Sequence, residues 1–272
     1  MLKKTLQIIK NNPAIYLIYG ASMVINVVIL ILLYPNNMNT ITDVSEPEFA
    51  LVSYLMILGK LFLASLLIFI ISLFFTSGIG NAVREATFSG RTSFSAFFPG
   101  IKIYFVRVLL AMLLITAMVF AASMLLGILT IPITMMTVMN GTTSPVALML
   151  IISIVSVLLI LIPMPFLLLW IPAMFLENTG VIHSLNLGAK AGTKNYIRLF
   201  VGILLLFIPE IIYFAFYYDE AASGHIFTVG YFLLMAVMMI LSLVFYVYLF
   251  EVYHEYRISQ MDATRMEVTA NH

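Results

Sequence analysis

Two ionisable side chains fall within apolar runs long enough to cross a bilayer, Lys60 and Glu210. A lone charge at the centre of a span costs at least ~2.5–3.5 kcal/mol, so such residues pair or face a polar path. At ~1.5 Å rise per residue, Lys60 lies about 16 Å below the start of its run at Phe49. Glu210 lies about 12 Å below the end of its own run at Tyr218 by the same measure. These similar depths predict an ion pair between two spans, beside the kink that Pro209 introduces. Such a pair acts as an inter-helix clasp or as part of a proton or substrate path; the alternative is two side chains that separately reach the outer boundary.

Other chemistry-bearing groups are sparse. Glu251 and His254 have Glu-x-x-His spacing, but a di-iron bundle needs two copies of it and further glutamates. His254-Glu255 lacks the second histidine of a zinc-protease helix. Met135, Met136 and Met139 read as adaptable packing rather than a soft-metal site. The chain has no cysteine, which excludes disulfides, thiolate metal sites and cysteine nucleophiles. A phosphate-cradling G-x-x-x-x-G-K-[ST] loop is absent from the sequence. The expectation is therefore no metal, no cofactor and no convergent catalytic set.

The elements that hold these residues follow from composition. Of 272 residues, 63% are hydrophobic and 9% charged, with mean hydropathy +1.12. So little polar surface cannot cover so much apolar mass in water, where soluble domains carry ~25% charged residues. The predicted fold class is all-α, a polytopic membrane helix bundle with six transmembrane helices and two cytoplasmic interfacial helices. The spans fall at about 14–34, 49–79, 103–131, 146–171, 197–218 and 227–250, each near the ~20 residues that crossing requires or longer. Pro132 is expected to end or bend the third span, while Pro163, Pro165 and Pro172 interrupt the fourth. The first apolar run is too long for a signal peptide and reads as a retained anchor. Residues 1–250 form the membrane domain and 251–272 a polar cytoplasmic tail.

Orientation follows from lysine and arginine. Twelve of the 13 lie in the N-terminus, the 81–107 loop, the 190–198 loop or the tail, and the thirteenth is Lys60. The opposite loops, 35–48, 132–145 and 219–226, carry none. Both termini are thus expected in the cytoplasm, in a cell membrane. Net charge is only +1, which offers no attraction to nucleic acid. The expected partners are the bilayer, anionic lipid headgroups and a membrane or cytoplasmic protein.

Two basic loops share a design. Residues 87–109 and 175–200 each leave a span, pass Gly90 or Gly180, form a short amphipathic stretch and re-enter through a basic-aromatic cluster. Lys102 and Tyr104 match Lys194 and Tyr196 at an offset of 92, and Arg107 matches Arg198 at 91. A parallel repeat or convergence on the same membrane-entry chemistry accounts for this. Phe94, Phe97 and Phe98 follow i, i+3, i+4 spacing and predict one apolar face. In the second loop Ile182, Leu185 and Ala189 predict another, with His183, Asn186 and Lys190 opposite. Asn178 or Thr179 is placed to cap that helix and Gly192 to end it. Both stretches read as headgroup-plane helices, serving as lipid-surface packing or as a docking site for a partner or headgroup. Glu177, at the span end, suits the following helix N-terminus or a contact with Lys190 or Lys194.

The second loop, FLENTGVIHSLNLGAKAGTKNYIRLF, resembles the membrane domain of the glycerophosphoryl diester phosphodiesterase family and its uncharacterised bacterial relatives. The matching residues are Glu177, Asn178, Gly180, Ser184, Leu185, Lys194, Asn195 and Tyr196, a Glu-Asn-x-Gly turn, a small-residue helix and a Lys-x-Asn-aromatic re-entry. The resemblance covers positions 175–200 and implies the six-span layout. In some relatives a soluble phosphodiesterase domain follows the last span, whereas here the tail 251–272 follows it. The resemblance therefore implies an architecture and not a reaction. Three roles are compatible with the sequence. The foremost is a non-enzymatic scaffold or accessory subunit acting through Phe94, Phe97, Phe98, Lys102, Glu177, Asn178, Gly180, Lys190, Lys194, Asn195 and Arg198. The second is a transporter or permease subunit working with a separate ATPase. An intramembrane enzyme acting on lipid is the third.

Overall fold

The computed structural model describes residues 1–33, 47–139, 161–222 and 229–270. Its first break follows from Pro13, which disfavours helical geometry at the preceding residue. Helix α1 (Leu2–Asn11) therefore stops, Asn12 turns out at φ −128°, and α2 (Pro13–Leu33) starts on the proline, whose missing N–H suits a first helical position. Helix α3 (Pro47–Ser89) ends at Gly90, in the left-handed region at φ 77°, where glycine carries no Cβ penalty. A 3₁₀ turn, Phe94–Ala96, leads directly into α4 (Phe97–Met139), which runs helically across Pro132. Pro132 thus marks no helix end, and the helix continues beyond it to Met139.

The proline-rich stretch is broken, as Pro163, Pro165 and Pro172 predict. It forms α5 (Met164–Leu168) and α6 (Trp170–Glu177), separated at Leu169. Then come α7 (Val181–Lys194), α8 (Tyr196–Ala222) with Pro209 inside it, and α9 (Val229–Ala270). Helix α9 carries the tail residues on as helix beyond the apolar run, to Ala270.

Every described element is helical. Among the described residues, four helices are long and apolar enough to cross a membrane, Pro13–Leu33, Leu55–Ser89, Phe94–Leu125 and Phe232–Met266. A fifth arises if α7 and the start of α8, bent 93° against each other, form one broken span. Only 11–17% of residues in the apolar windows are buried. Exposed Leu, Ile, Val and Phe over such lengths need a hydrocarbon solvent, so the chain is a multi-pass membrane protein.

The chain divides into two compact units, Met1–Phe105 with Gly202–Val252, and Val106–Val201 with Tyr253–His272. In the first, α2 packs on α3, and Ile15, Ala82, Val83, Val247 and Phe250 are fully buried. In the second, α7 packs on α5 and α6, around Val108, Leu169, Ala173, Met174, Phe175 and Leu199. Within each unit, burial concentrates near the basic helix ends rather than mid-span.

Both amphipathic stretches differ from expectation. Phe94 and Phe98 are exposed while Phe97 is buried between Phe74 and Phe75, so the three rings do not share a face. Phe94 opens a 3₁₀ turn whereas Phe97 and Phe98 open α4, so the stretch departs from the continuous ~100° per residue that i, i+3, i+4 spacing assumes. On α7 the buried face is Ser184, Gly188, Ala191 and Gly192, whereas Ile182 is 72% exposed. Small residues win because backbones approach there. A Cβ on Gly188 would lie 2.5 Å from the Trp170 amide nitrogen, and one on Gly192 2.5 Å from the Pro165 carbonyl. This is the small-residue packing of membrane helices. The helix is capped by Gly180 without a side-chain bond and passes Gly192 to end at Lys194.

Candidate functional site

The second unit gathers the loop residues onto the polar extension of α9. Asn178 terminates α6 in the left-handed region at φ 50°, a conformation that Asn tolerates better than most side chains. This turn points the chain into α7, where the Ser184 amide donates to the Gly180 carbonyl at 2.9 Å. Three side chains from outside the turn hold it. Arg257 Nε lies 2.9 Å from Glu177 Oε1, and the Tyr253 hydroxyl donates to the same oxygen at 3.5 Å. Arg107 of α4 donates to Asn178 Oδ1 at 2.9 Å. The Glu177 carboxylate is therefore engaged by α9 rather than by Lys190 or Lys194.

The other end of α7 returns to the same helix. Lys194 Nζ stands 5.5 Å above the Tyr256 ring, within cation–π range. Tyr256 in turn packs against Tyr253, with centroids 6.0 Å apart. Asn195 closes α7 and opens α8, its amide donating to Ala191 and Gly192 and its carbonyl accepting from Leu199. Tyr196 donates to the Ile162 carbonyl at 3.1 Å and packs on Phe166 and Phe200. Residues 177–196 thus form a pinned hairpin of turn, helix and hinge. Its exposed side presents Asn178, Gly180, His183, Asn186 and Lys190. Lys194 and Arg198 are also exposed, so one acid is set among several cations.

The first unit holds a separate polar cluster. Asn12 bridges α1 and the turn after α3, its Nδ2 donating to the carbonyls of Ile8 at 2.8 Å and Gly90 at 3.3 Å. The Thr92 amide donates to Asn12 Oδ1 at 2.6 Å. Lys4 Nζ lies 2.6 Å from Oε2 of Glu251, whose side chain is fully buried. Lys102 is exposed on α4.

Sequence reasoning singled out Glu177, Asn178 and Gly180, which lie at the turn before α7, and Lys194 and Asn195, which lie at the far end of that helix. It missed Arg107, Tyr253, Tyr256 and Arg257 as their partners, because the first read as a membrane-entry cation and the others as tail. The signal was available in the helical spacing of Tyr253, Tyr256 and Arg257, which puts them on one face of a continuing helix. Lys60 is exposed on α3, and the side chain of Glu210 lies outside the described residues. Among the described residues, no three His, Asp or Glu side chains group as metal ligands. In comparison with known proteins, no family model, no curated protein and no solved structure matches the chain.

Proposed function

We propose that this chain is a non-enzymatic membrane scaffold or accessory subunit that presents the hairpin of residues 177–196 to a cytoplasmic partner. The reading takes the chain as six spans with both termini cytoplasmic, and its carrying observation is the pinning of the Glu177–Gly180 turn. Arg257 and Arg107 immobilise the turn from two other helices, which lowers the ordering cost that a partner would otherwise meet. Glu177 and Glu251 are each ion-paired within the fold, which gives both carboxylates a structural role. The cationic surround of Lys190, Lys194 and Arg198 suits anionic headgroups at the inner leaflet. The likeness of this segment to the phosphodiesterase membrane-domain family supports a shared architecture.

The test is site-specific photo-cross-linking from His183 and Lys190, with lipid-facing Leu113 as control. The expected result is one stoichiometric protein captured from both hairpin positions and lost in Glu177→Ala. No capture from an intact hairpin would refute the proposal. A cysteine at Thr40 or Ala222 labelled only from the cytoplasm would overturn the orientation.

The 93° break between α7 and α8 favours a second reading, a transport subunit whose α7 engages a separate ATPase. Broken helices line cavities in transporters, and the proposed Lys60–Glu210 pair would lie on such a path. A nucleotide-binding protein as the captured partner selects this reading. Lys60→Met and Glu210→Gln should then leave a folded but inactive protein, whereas a structural clasp predicts lost stability.

A further inference from the structure

A cleft of about 480 Å³ opens in the first unit where the end of α3 meets the start of α4, lined by Asn81, Arg84, Glu85, Phe88, Ser89 and Ser95 along with Ala96 and Pro99. That volume is within the range of small-ligand sites. Its walls are fixed by short bonds. Asn81 Nδ2 donates to the Ala96 carbonyl at 2.8 Å, tying the two helices together. Glu85 Oε2 accepts from the Thr92 hydroxyl at 3.0 Å. Ser89 Oγ lies 2.7 Å from the Glu85 carbonyl and 2.6 Å from that of Arg91, and Ser95 shares a 2.6 Å bond with Ser93.

One cation in this wall lacks an acceptor. The Nε of Arg84 is buried and has no hydrogen-bond partner among the described residues. A desolvated guanidinium N–H without an acceptor is costly; the fork of Arg suits phosphate and carboxylate oxygens alike, and phosphate is the one that every phospholipid headgroup carries. The neighbouring Glu85 would repel a simple anion, but it suits a ligand that carries an ammonium beside its phosphate. The rim adds a third constraint. Phe88, which lines the cleft, is 50% exposed, and Phe94 and Phe98, 54% and 69% exposed, adjoin the lining residues Ser95 and Pro99 in the chain. A polar floor with an apolar rim matches an amphiphile at the bilayer interface rather than a freely soluble ligand.

We infer that this cleft binds the headgroup of a membrane phospholipid bearing a primary ammonium, with Arg84 on the phosphate and Glu85 on the ammonium. The site draws on the first unit alone and does not rest on the scaffold reading. The experiment is native mass spectrometry of the detergent-purified chain with equimolar dioleoyl-phosphatidylethanolamine and dioleoyl-phosphatidylglycerol.

The wild type should retain the ethanolamine lipid preferentially. Arg84→Gln should weaken retention of both lipids by about tenfold or more, the scale of a charge-assisted bond, and Arg84→Lys should restore part of it. Glu85→Gln should keep phosphate binding and lose the preference between lipids. Melting temperatures of the variants should stay near wild type, since Arg84 Nε has no protein bond to lose. Retention by Arg84→Gln equal to wild type, or a wild-type preference for the glycerol lipid, overturns the assignment. Soluble phosphoethanolamine should fail to displace the lipid at hundredfold excess. Displacement at equal concentration would instead make the free headgroup the ligand.

Discussion

Replacing Lys4 by Met should destabilise the chain more than replacing its partner Glu251 by Met. The Lys4 ammonium stands 2.6 Å from a carboxylate whose side chain has no exposed surface, while Lys4 itself is 51% exposed. In Lys4→Met the carboxylate stays buried without its counter-charge. Breaking a buried pair in this way costs about 3–5 kcal/mol. Solvent around the half-exposed ammonium already screens the attraction, which brings the expected loss to about 2–3 kcal/mol. In Glu251→Met the freed ammonium turns into water and an apolar side chain of similar volume fills the site, for a cost of about 1 kcal/mol or less. The double variant should then sit close to Glu251→Met, giving a coupling of about 2 kcal/mol. Unfolding by SDS titration in mixed micelles measures all four corners of this cycle. Equal losses in the two single variants, or a double variant as unstable as their sum, would refute the reasoning.

Five further variants probe other contacts by the same titration. Gly188→Ala and Gly192→Ala should each cost about 2 kcal/mol or more, because the new Cβ meets the Trp170 or Pro165 backbone at 2.5 Å and backbone cannot yield as a flexible side chain does. Gly180→Ser should change stability by less than about 0.5 kcal/mol, since a Cβ there meets nothing within 4 Å and serine is a good N-cap. Asn12→Ala should cost about 1–3 kcal/mol, because the fully buried Asn12 side chain loses its bonds to Ile8, Gly90 and Thr92. Thr5→Val should be neutral or stabilising by about 1 kcal/mol, because the buried Thr5 hydroxyl has no partner among the described residues.

How far the sequence exposed the fold depends on which physical signal each residue carries. Apolar run length is nearly a direct reading of membrane helices, so α2, α3, α4 and α9 were visible in the sequence. The prolines at 163, 165 and 172 likewise announced the broken stretch that became α5 and α6. The stripe of Ser184, Gly188, Ala191 and Gly192 was hidden, because apolar periodicity seeks large side chains while close backbone packing selects small ones. The spacing that linked the two basic loops also proved ambiguous. Tyr104 is 1% exposed, whereas Tyr196 is half-buried and donates to Ile162, so equivalent spacing accompanies unlike surroundings. At the candidate site the turn residues were legible as a motif. Their partners were not, because Arg107 and Arg257 come from α4 and α9, remote in the chain from Asn178 and Glu177. One-dimensional spacing does not encode a contact over such a separation.

The clasp around α1 also sets an order of assembly during synthesis. Asn12 is held by Gly90 and Thr92, far downstream in the chain. At roughly 5–20 residues per second, those partners leave the ribosome about 4–16 s after Asn12. Glu251, the partner of Lys4, is made later still, about 12–50 s after that lysine at the same rate. For that interval Lys4 is without the carboxylate that pairs with it in the finished fold. Only when α9 arrives does Glu251 take up the Lys4 charge, tying the two ends of the first unit's sequence together.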